Sequence, residues 1–220
     1  MFLVFNHREG GLLEMLTKKE RETIDAYDLM GHEWSTSHNT PAFWGHLFSI
    51  FQLFLSGGTV LEVGCGGGRD ADTLIKMGYA WTGTDISRSM LSEARKRHPL
   101  YPVYLYSVYN LGSVPGAPFD GFWASAVLLH VPKKRIEEAL GSVQQVVRPG
   151  GIGCITVKEG DGFRPVPVPR KKVVRHFQFY NEGELEPILE RCGFPVLYVG
   201  KFHRNAGDPV WLTYIVQRAP

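Results

Sequence analysis

The chain has 220 residues, which suits one large α/β domain or one domain with an appendage, since domains usually run about 100–200 residues. Apolar residues make up 44% and charged residues 21%, the balance of a folded globular protein and not of a disordered one. With 24 basic against 22 acidic side chains the net charge is +2, too even for a nucleic-acid footprint over the whole surface, although a local basic patch stays possible.

The first residues, Met1 to Arg8, are apolar only briefly, and their charge follows the apolar stretch; a secretory signal is not expected. No segment approaches the ~18 apolar residues of a membrane span. Cys65, Cys154 and Cys192 are odd in number and lack CxxC spacing. They give neither a disulfide framework nor a zinc cluster, and read as small buried apolar residues in a reducing cytoplasm.

Residues 1–56 read as helical, a cap belonging to the same domain that 57–220 builds. Thr17-Lys18-Lys19-Glu20 fits a capping box and opens a polar helix that runs to about Met30 and stops at Gly31. A second helix is expected from near Pro41 to Leu55, apolar almost all round and therefore buried. From Gly57 strands and helices alternate. Strands are predicted at Thr59–Val63, Ala80–Thr84, Pro102–Val108, Phe119–Val127 and Gly151–Val157. Helices are predicted at Arg69–Met77, after the cap Ser87, at Lys133–Val147 and at Glu182–Arg191. Such alternation means βαβ units and a parallel sheet covered on both faces. Pro195–Phe202 and Val210–Gln217 follow without a helix between them and predict an antiparallel pair at one end of the sheet.

The sharpest local signal is Val60-Leu61-Glu62-Val63-Gly64-Cys65-Gly66-Gly67-Gly68-Arg69-Asp70: a strand, a glycine cluster, then a helix. In a doubly wound sheet such a turn lies at the carboxyl ends of the strands, where ligands bind. The dinucleotide fingerprint G-x-G-x-x-G fails here, because Arg69 stands at its third glycine. Glu62 would oppose a phosphate and suits a ligand carrying an ammonium or sulfonium charge. Asp85 stands 21 residues after Gly64, where a carboxylate can accept from both hydroxyls of a ribose or, alternatively, cap the helix at Ser87.

The stretch Val60 to Gly68 closely resembles the first motif of class I S-adenosylmethionine-dependent methyltransferases. Gly83-Thr84-Asp85-Ile86-Ser87, Phe119-Asp120-Gly121-Phe122-Trp123 with Val127-Leu128-Leu129-His130-Val131, and Val146-Val147-Arg148-Pro149-Gly150-Gly151 resemble later motifs in the family's order. Phe179-Tyr180, Glu184-Leu185 and Cys192-Gly193-Phe194 resemble the segment leading to its last strands, so the likeness spans about Tyr27 to Val216. It implies a Rossmann-like, doubly wound, seven-stranded, mostly parallel α/β sheet with an antiparallel last strand and an N-terminal helical lid. It implies S-adenosyl-L-methionine as cofactor, S-adenosyl-L-homocysteine as product, and transfer of a methyl group to an oxygen, nitrogen or sulfur of a small-molecule acceptor. Cofactor contacts are then expected from Glu62, Gly64, Cys65, Gly66, Gly68, Arg69, Asp85, Ile86, Met90, Ser107, Val108, Tyr109, Ala124 and Ser125. Ser107 departs from the family's usual acid at the end of the third strand, so the backbone near Val108 and Tyr109 is expected to read the adenine edge.

His130 is the candidate general base, by its place after the fourth strand, with loop ordering before Pro132 as its alternative role. In relatives a helix with a Tyr-Asp pair folds over the cofactor, which makes Tyr27 a candidate site residue; ordinary aromatic packing is its alternative. The remaining histidines show no HExxH spacing, and no metal is expected. Lys158-Glu159-Gly160-Asp161-Gly162 resembles a subset of uncharacterised bacterial methyltransferases with small-molecule substrates. The loop behind it carries Arg164, Arg170, Lys171, Lys172 and Arg175, able to hold an acidic acceptor or simply to face solvent. Competing functions are a non-catalytic S-adenosylmethionine-binding module, a nicotinamide-dependent oxidoreductase and an RNA methyltransferase.

Overall fold

A computed structural model describes residues 15–40, 42–203, 205 and 207–220; the expectations for Met1 to Arg8 and for Pro41 lie outside these. Among the described residues the sheet has nine strands. They are β1 (Thr59–Val63), β2 (Ala80–Asp85), β3 (Val103–Leu105), β4 (Phe119–Ser125), β5 (Val147–Glu159), β6 (Phe163–Pro167), β7 (Val174–Tyr180), β8 (Val196–Phe202) and β9 (Trp211–Gln217). The helices are α1 (Lys18–Ser37), α2 (His46–Phe54), α3 (Ala71–Lys76), α4 (Arg88–Arg97), α5 (Ile136–Val146) and α6 (Glu186–Arg191).

The strands run β3-β2-β1-β4-β5, all parallel, with β9 antiparallel on β5 and β8 on β9. These seven are the expected sheet, including the antiparallel last strand. Every central strand alternates between two buried faces. Leu61, Phe122, Ile155 and Tyr214 pack with α5 on one side. Val60, Trp123, Cys154 and Ile215 pack with α2, α3 and α4 on the other. Burial on both faces is why these strands read as continuous apolar runs.

The basic loop after β5 corrects the sequence reading: it is a hairpin, β6 on β7, turning at Val168–Val173. β4 stops pairing at Ser125 opposite Thr156, so the edge of β5 is open beyond it, and β7 takes that edge at Lys158 and Glu159. Pro165 and Pro167 stand two residues apart in β6, the last strand of its row. Both missing N–H groups therefore fall on the same outer edge, where a proline costs no ladder bond.

Two helix expectations also change. Gly31 does not stop α1, which continues to Ser37. A Cβ at Gly31 would come within 2.1 Å of Ser89 Oγ, so the glycine is there to let α1 lie close on α4. Helix α2 buries Leu47, Phe48 and Phe51 but leaves Leu53 84% exposed and Phe54 43% exposed; it lies against the sheet with one face and is not enclosed.

Candidate functional site

The capping box forms as read: Thr17 N–H donates to Glu20 Oε2 at 2.8 Å and Glu20 N–H to Thr17 Oγ1 at 3.3 Å. Helix α1 then crosses the carboxyl edge of the sheet. Asp28 Oδ1 accepts from Ser87 Oγ at 2.6 Å and from Ser89 N–H at 3.1 Å. Further back along α1, Thr23 Oγ1 accepts from His176 N–H at 2.9 Å and Glu22 pairs with His176 at 2.7 Å. The helix is thus tied to α4 on one side and to β7 on the other. Beneath it lies a cavity of about 520 Å³ lined by the glycine turn, the ends of β1, β2, β4 and β5, and β7.

The turn is shaped by positive φ angles at Gly64 (68°), Gly66 (53°) and Gly68 (78°), which side chains rarely adopt. Asp85 fixes it: its Oδ2 accepts from Gly66 N–H at 2.8 Å, and its Oδ1 from Ser87 N–H at 2.8 Å. A Cβ on Gly66 would meet nothing within 4 Å, so this glycine faces open cavity space. Gly68 and Ala124, both expected at the site, do not line it. A Cβ on Gly68 would meet the His98 ring at 2.7 Å, and its carbonyl lies 2.8 Å from His98 Nε2; it packs the turn on α4. Ala124 is fully buried on the opposite, α5 side of the sheet.

One half of the cavity is acidic. Glu62, buried at the end of β1, accepts from Trp81 Nε1 at 2.7 Å. Burial, then the Asp70 and Asp85 charges, hold its carboxyl well above the usual range, against Trp81 and Arg69. Asp85 is likewise raised by burial, with the backbone N–H groups opposing. Asp70, which the sequence reading assigned no role, accepts from Trp44 Nε1 (2.9 Å), Trp123 Nε1 (3.1 Å), Ser125 Oγ (2.7 Å) and Arg69 Nε (2.7 Å). Cys65 and Met90 are buried beside the turn, and Ile86 completes this wall. Ser107 is buried, and its hydroxyl accepts from Tyr109 N–H at 3.3 Å while its carbonyl accepts from Asn110 N–H. The Tyr109 amide is therefore engaged, and the Val108 N–H has no hydrogen-bond partner among the described residues. The Tyr109 ring is held under the Arg135 guanidinium at 3.7 Å, with its hydroxyl on Glu20.

The other half is aromatic and basic. His130 Nδ1 lies 3.0 Å from the His176 carbonyl oxygen, an acceptor, so Nδ1 carries the proton. Its Nε2 is then a lone pair, and the Tyr27 hydroxyl donates to it at 3.0 Å. Burial, with Arg175 and Lys158 adding to it, pulls the imidazole down to about 3, so His130 is neutral at physiological pH. Of the two roles read for it, the ordering of the loop has a counterpart here: His130 ties the turn before Pro132 to β7, and its ring also accepts from Tyr27. Of the five basic residues singled out behind β5, Arg175 alone lines the cavity; Lys171 pairs with Glu33 at 3.0 Å, and Arg164, Arg170 and Lys172 are exposed. Lys158 joins Arg175 there. Among the described residues no helix is long and apolar enough to cross a membrane.

Residues 60–151 match a family model described as a methyltransferase domain. A probable S-adenosylmethionine-dependent methyltransferase of Mycolicibacterium smegmatis is 27% identical over 150 residues, which cover 67% of this chain and 56% of that protein. The mitochondrial ubiquinone biosynthesis O-methyltransferase of Schizosaccharomyces pombe is 34% identical over 101 residues, 44% of this chain and 36% of that protein. The chain thus spans well under two thirds of the length of these curated relatives. Among solved structures, the 1,6-didemethyltoxoflavin-N1-methyltransferase of Burkholderia thailandensis, with bound 1,6-didemethyltoxoflavin and S-adenosylhomocysteine, superposes with a TM-score of 0.74 at 19% identity, covering 93% of this chain and 92% of that one. The order of the strands and the glycine turn clamped by a carboxylate agree with the match of residues 60–151 to a methyltransferase domain, the stretch over which the chain is similar to S-adenosylmethionine-dependent methyltransferases.

Proposed function

We propose that the chain is a methyltransferase that uses S-adenosylmethionine to methylate an oxygen, nitrogen or sulfur of a small-molecule acceptor. The observation that carries this is the clamp of Asp85 on Gly66 beside Glu62, facing a cavity closed by α1. The residues fit the cofactor. Gly66 faces open space, the lone pairs Asp85 has left can accept from ribose hydroxyls, the free Val108 N–H suits the adenine edge, and the carboxylates suit a cation. When bound, the cofactor supplies a methyl group on a sulfonium, whose transfer depends chiefly on alignment. In this reading α1 and α2 form a lid on the same domain as 57–220, and α1 keeps water from the site. His130 is a positioning residue. Held neutral, it is too weak a base to store a proton at pH 7, and it aims the Tyr27 hydroxyl instead.

Isothermal titration with S-adenosylmethionine, S-adenosylhomocysteine and NADH tests the reading. Saturable binding of the first two without NADH supports it; NADH alone would move the site to hydride chemistry. Binding without turnover across an acceptor screen would leave a cofactor-binding module. The raised Glu62 carboxyl adds a pH signature. A cationic ligand favours its ionised form, so binding releases a proton, and affinity should rise with pH through the free-state pKa of Glu62. Arg69, Asp70 and Asp85 face the same carboxyl and set where that rise falls. Titration in buffers of different ionisation enthalpy counts the proton, and Glu62→Gln should abolish its release. For turnover, Tyr27→Phe should lower kcat by roughly ten- to a hundredfold while leaving S-adenosylhomocysteine affinity unchanged. Unchanged kcat with the first acceptor found would remove Tyr27 from the chemistry.

A further inference from the structure

The chain pairs its partly buried cations with carboxylates almost everywhere: Arg69 with Asp70, Arg97 with Asp72, Arg135 with Glu20 and Lys133 with Glu184. Two cations in the cavity are exceptions. Arg175 is 8% exposed, and its Nε is buried without a hydrogen-bond partner. Its Nη1 reaches only the Tyr27 hydroxyl, at 3.4 Å. Its guanidinium lies 4.4 Å from the ring centre of Trp34, 5.2 Å from that of Phe177 and 5.6 Å from that of Tyr27. The ammonium of Lys158 lies 4.5 Å from the centre of the same Phe177 ring and 5.1 Å from that of Trp211. Neither cation has a carboxylate partner among the described residues.

Aromatic faces repay only part of the hydration a buried cation loses, and two cations flanking one ring repel each other. The strain is visible at Lys158, whose ammonium burial and Arg175 pull down to about 8. An anion supplied from outside would relieve both. The cavity is therefore polarised, with Glu62, Asp70 and Asp85 at the glycine turn, and Lys158 and Arg175 at β5 and β7. In the sheet order β5 and β7 lie beyond β4, on the side away from β2 and β3, where Asp85 and Ser107 stand. The positive half is thus the half left for the acceptor.

We propose that Arg175 and Lys158 form an anion subsite for the acceptor, which is a planar aromatic compound carrying a carboxylate. The carboxylate meets the two cations, and the ring lies among Trp34, Phe177 and Trp211. Arginine offers a planar fork of N–H donors that matches a carboxylate, and lysine adds a point charge. The proposal rests on the methyltransferase reading for the identity of the cofactor half, and one other carboxylate competes for the same cations, that of the cofactor's own methionine.

The test uses the full chain, benzoate as probe and benzamide as its uncharged isostere, each titrated with and without saturating S-adenosylhomocysteine. Tryptophan fluorescence reads the binding, since Trp34 and Trp211 line the cavity. Benzoate should bind saturably and benzamide at least about tenfold more weakly. Arg175→Gln and Lys158→Met should each weaken benzoate by roughly ten- to a hundredfold and leave S-adenosylhomocysteine affinity within about twofold. Should Arg175→Gln fail to fold by circular dichroism, Lys158→Met and Arg175→Lys carry the same comparison. Absence of saturable benzoate binding, equal binding of benzamide, or variants that lose S-adenosylhomocysteine and keep benzoate would each overturn the proposal; the last would assign the cations to the cofactor. If benzoate binds through Arg175 while S-adenosylhomocysteine does not bind at all, the anion subsite stands and the methyltransferase reading falls.

Discussion

Replacing Asp70 by alanine should lower the melting temperature by roughly 6–20 °C, the largest loss expected from any single polar side chain here. Asp70 is 3% exposed. Burial pushes its carboxyl up, but the Arg69 charge and the hydrogen bonds from Arg69, Ser125 and Trp123 outweigh that and hold it below the ordinary range. Alanine would remove the acceptor that two indole N–H groups, a hydroxyl and a guanidinium now share, leaving Trp44 Nε1 only Ser125 Oγ at 3.0 Å. Breaking a buried charged pair of this kind costs about 3–5 kcal/mol, and each kcal/mol moves Tm by about 2–4 °C in a chain of this size. The carboxylate's contribution has a pH sign. Its folded pKa is lowered, so the stabilisation is present above the ordinary aspartate value and is lost as pH falls through the lowered one. Thermal melts of Asp70→Ala at neutral pH decide the matter; a drop under about 3 °C would show that the four donors find water instead. The loss would also loosen the site, because Trp44, the glycine turn and the end of β4 meet at this carboxylate.

Asp85→Ala should weaken S-adenosylhomocysteine by at least about a hundredfold in isothermal titration, with the sheet intact. Two hydrogen bonds from ribose hydroxyls to a carboxylate are worth roughly 1.5–3 kcal/mol each, and a tenfold change is about 1.4 kcal/mol. The same substitution releases Gly66 N–H, which Asp85 holds at 2.8 Å, so the turn loses its shape along with the ligand contact. Asp85→Asn separates these effects. Its amide oxygen can still hold Gly66, and the remaining loss then reports the missing charge alone. Undiminished affinity in both variants would remove Asp85 from the cofactor site and leave it as the cap suggested by its bond to Ser87.

The fold was legible where local chemistry and tertiary structure agree. Thr17 and Glu20 predict their own capping box because its partners stand three residues apart. Thr59–Val63 was readable to the residue, and Ala80 to Thr84 to within one, because short β-branched runs end in glycine or in a helix cap. Gly31 was read as a stop because glycine commonly caps a helix C-terminus; the close approach of Ser89, which is distant in sequence, is what a glycine inside the helix permits. The hairpin behind β5 was hidden by Pro165 and Pro167, which count against a strand unless one knows that the strand is at the edge of the sheet. The antiparallel β9 and β8 were readable because no helix separates them.

By itself the sequence determined seven of the nine strands described and the helices between them, the glycine turn, the carboxylates Glu62 and Asp85 at their strand ends, and the absence of a dinucleotide third glycine at Arg69. These are statements about residues close in the chain, where spacing and φ preference suffice. Only the tertiary structure decided that Asp70 gathers Trp44, Trp123, Ser125 and Arg69, that Tyr27 donates to His130, and that Lys158 and Arg175 share one aromatic wall with no carboxylate partner among the described residues. Each of those joins residues from different elements, and charge or burial there depends on what the fold removes from water. No spacing along the chain encodes that.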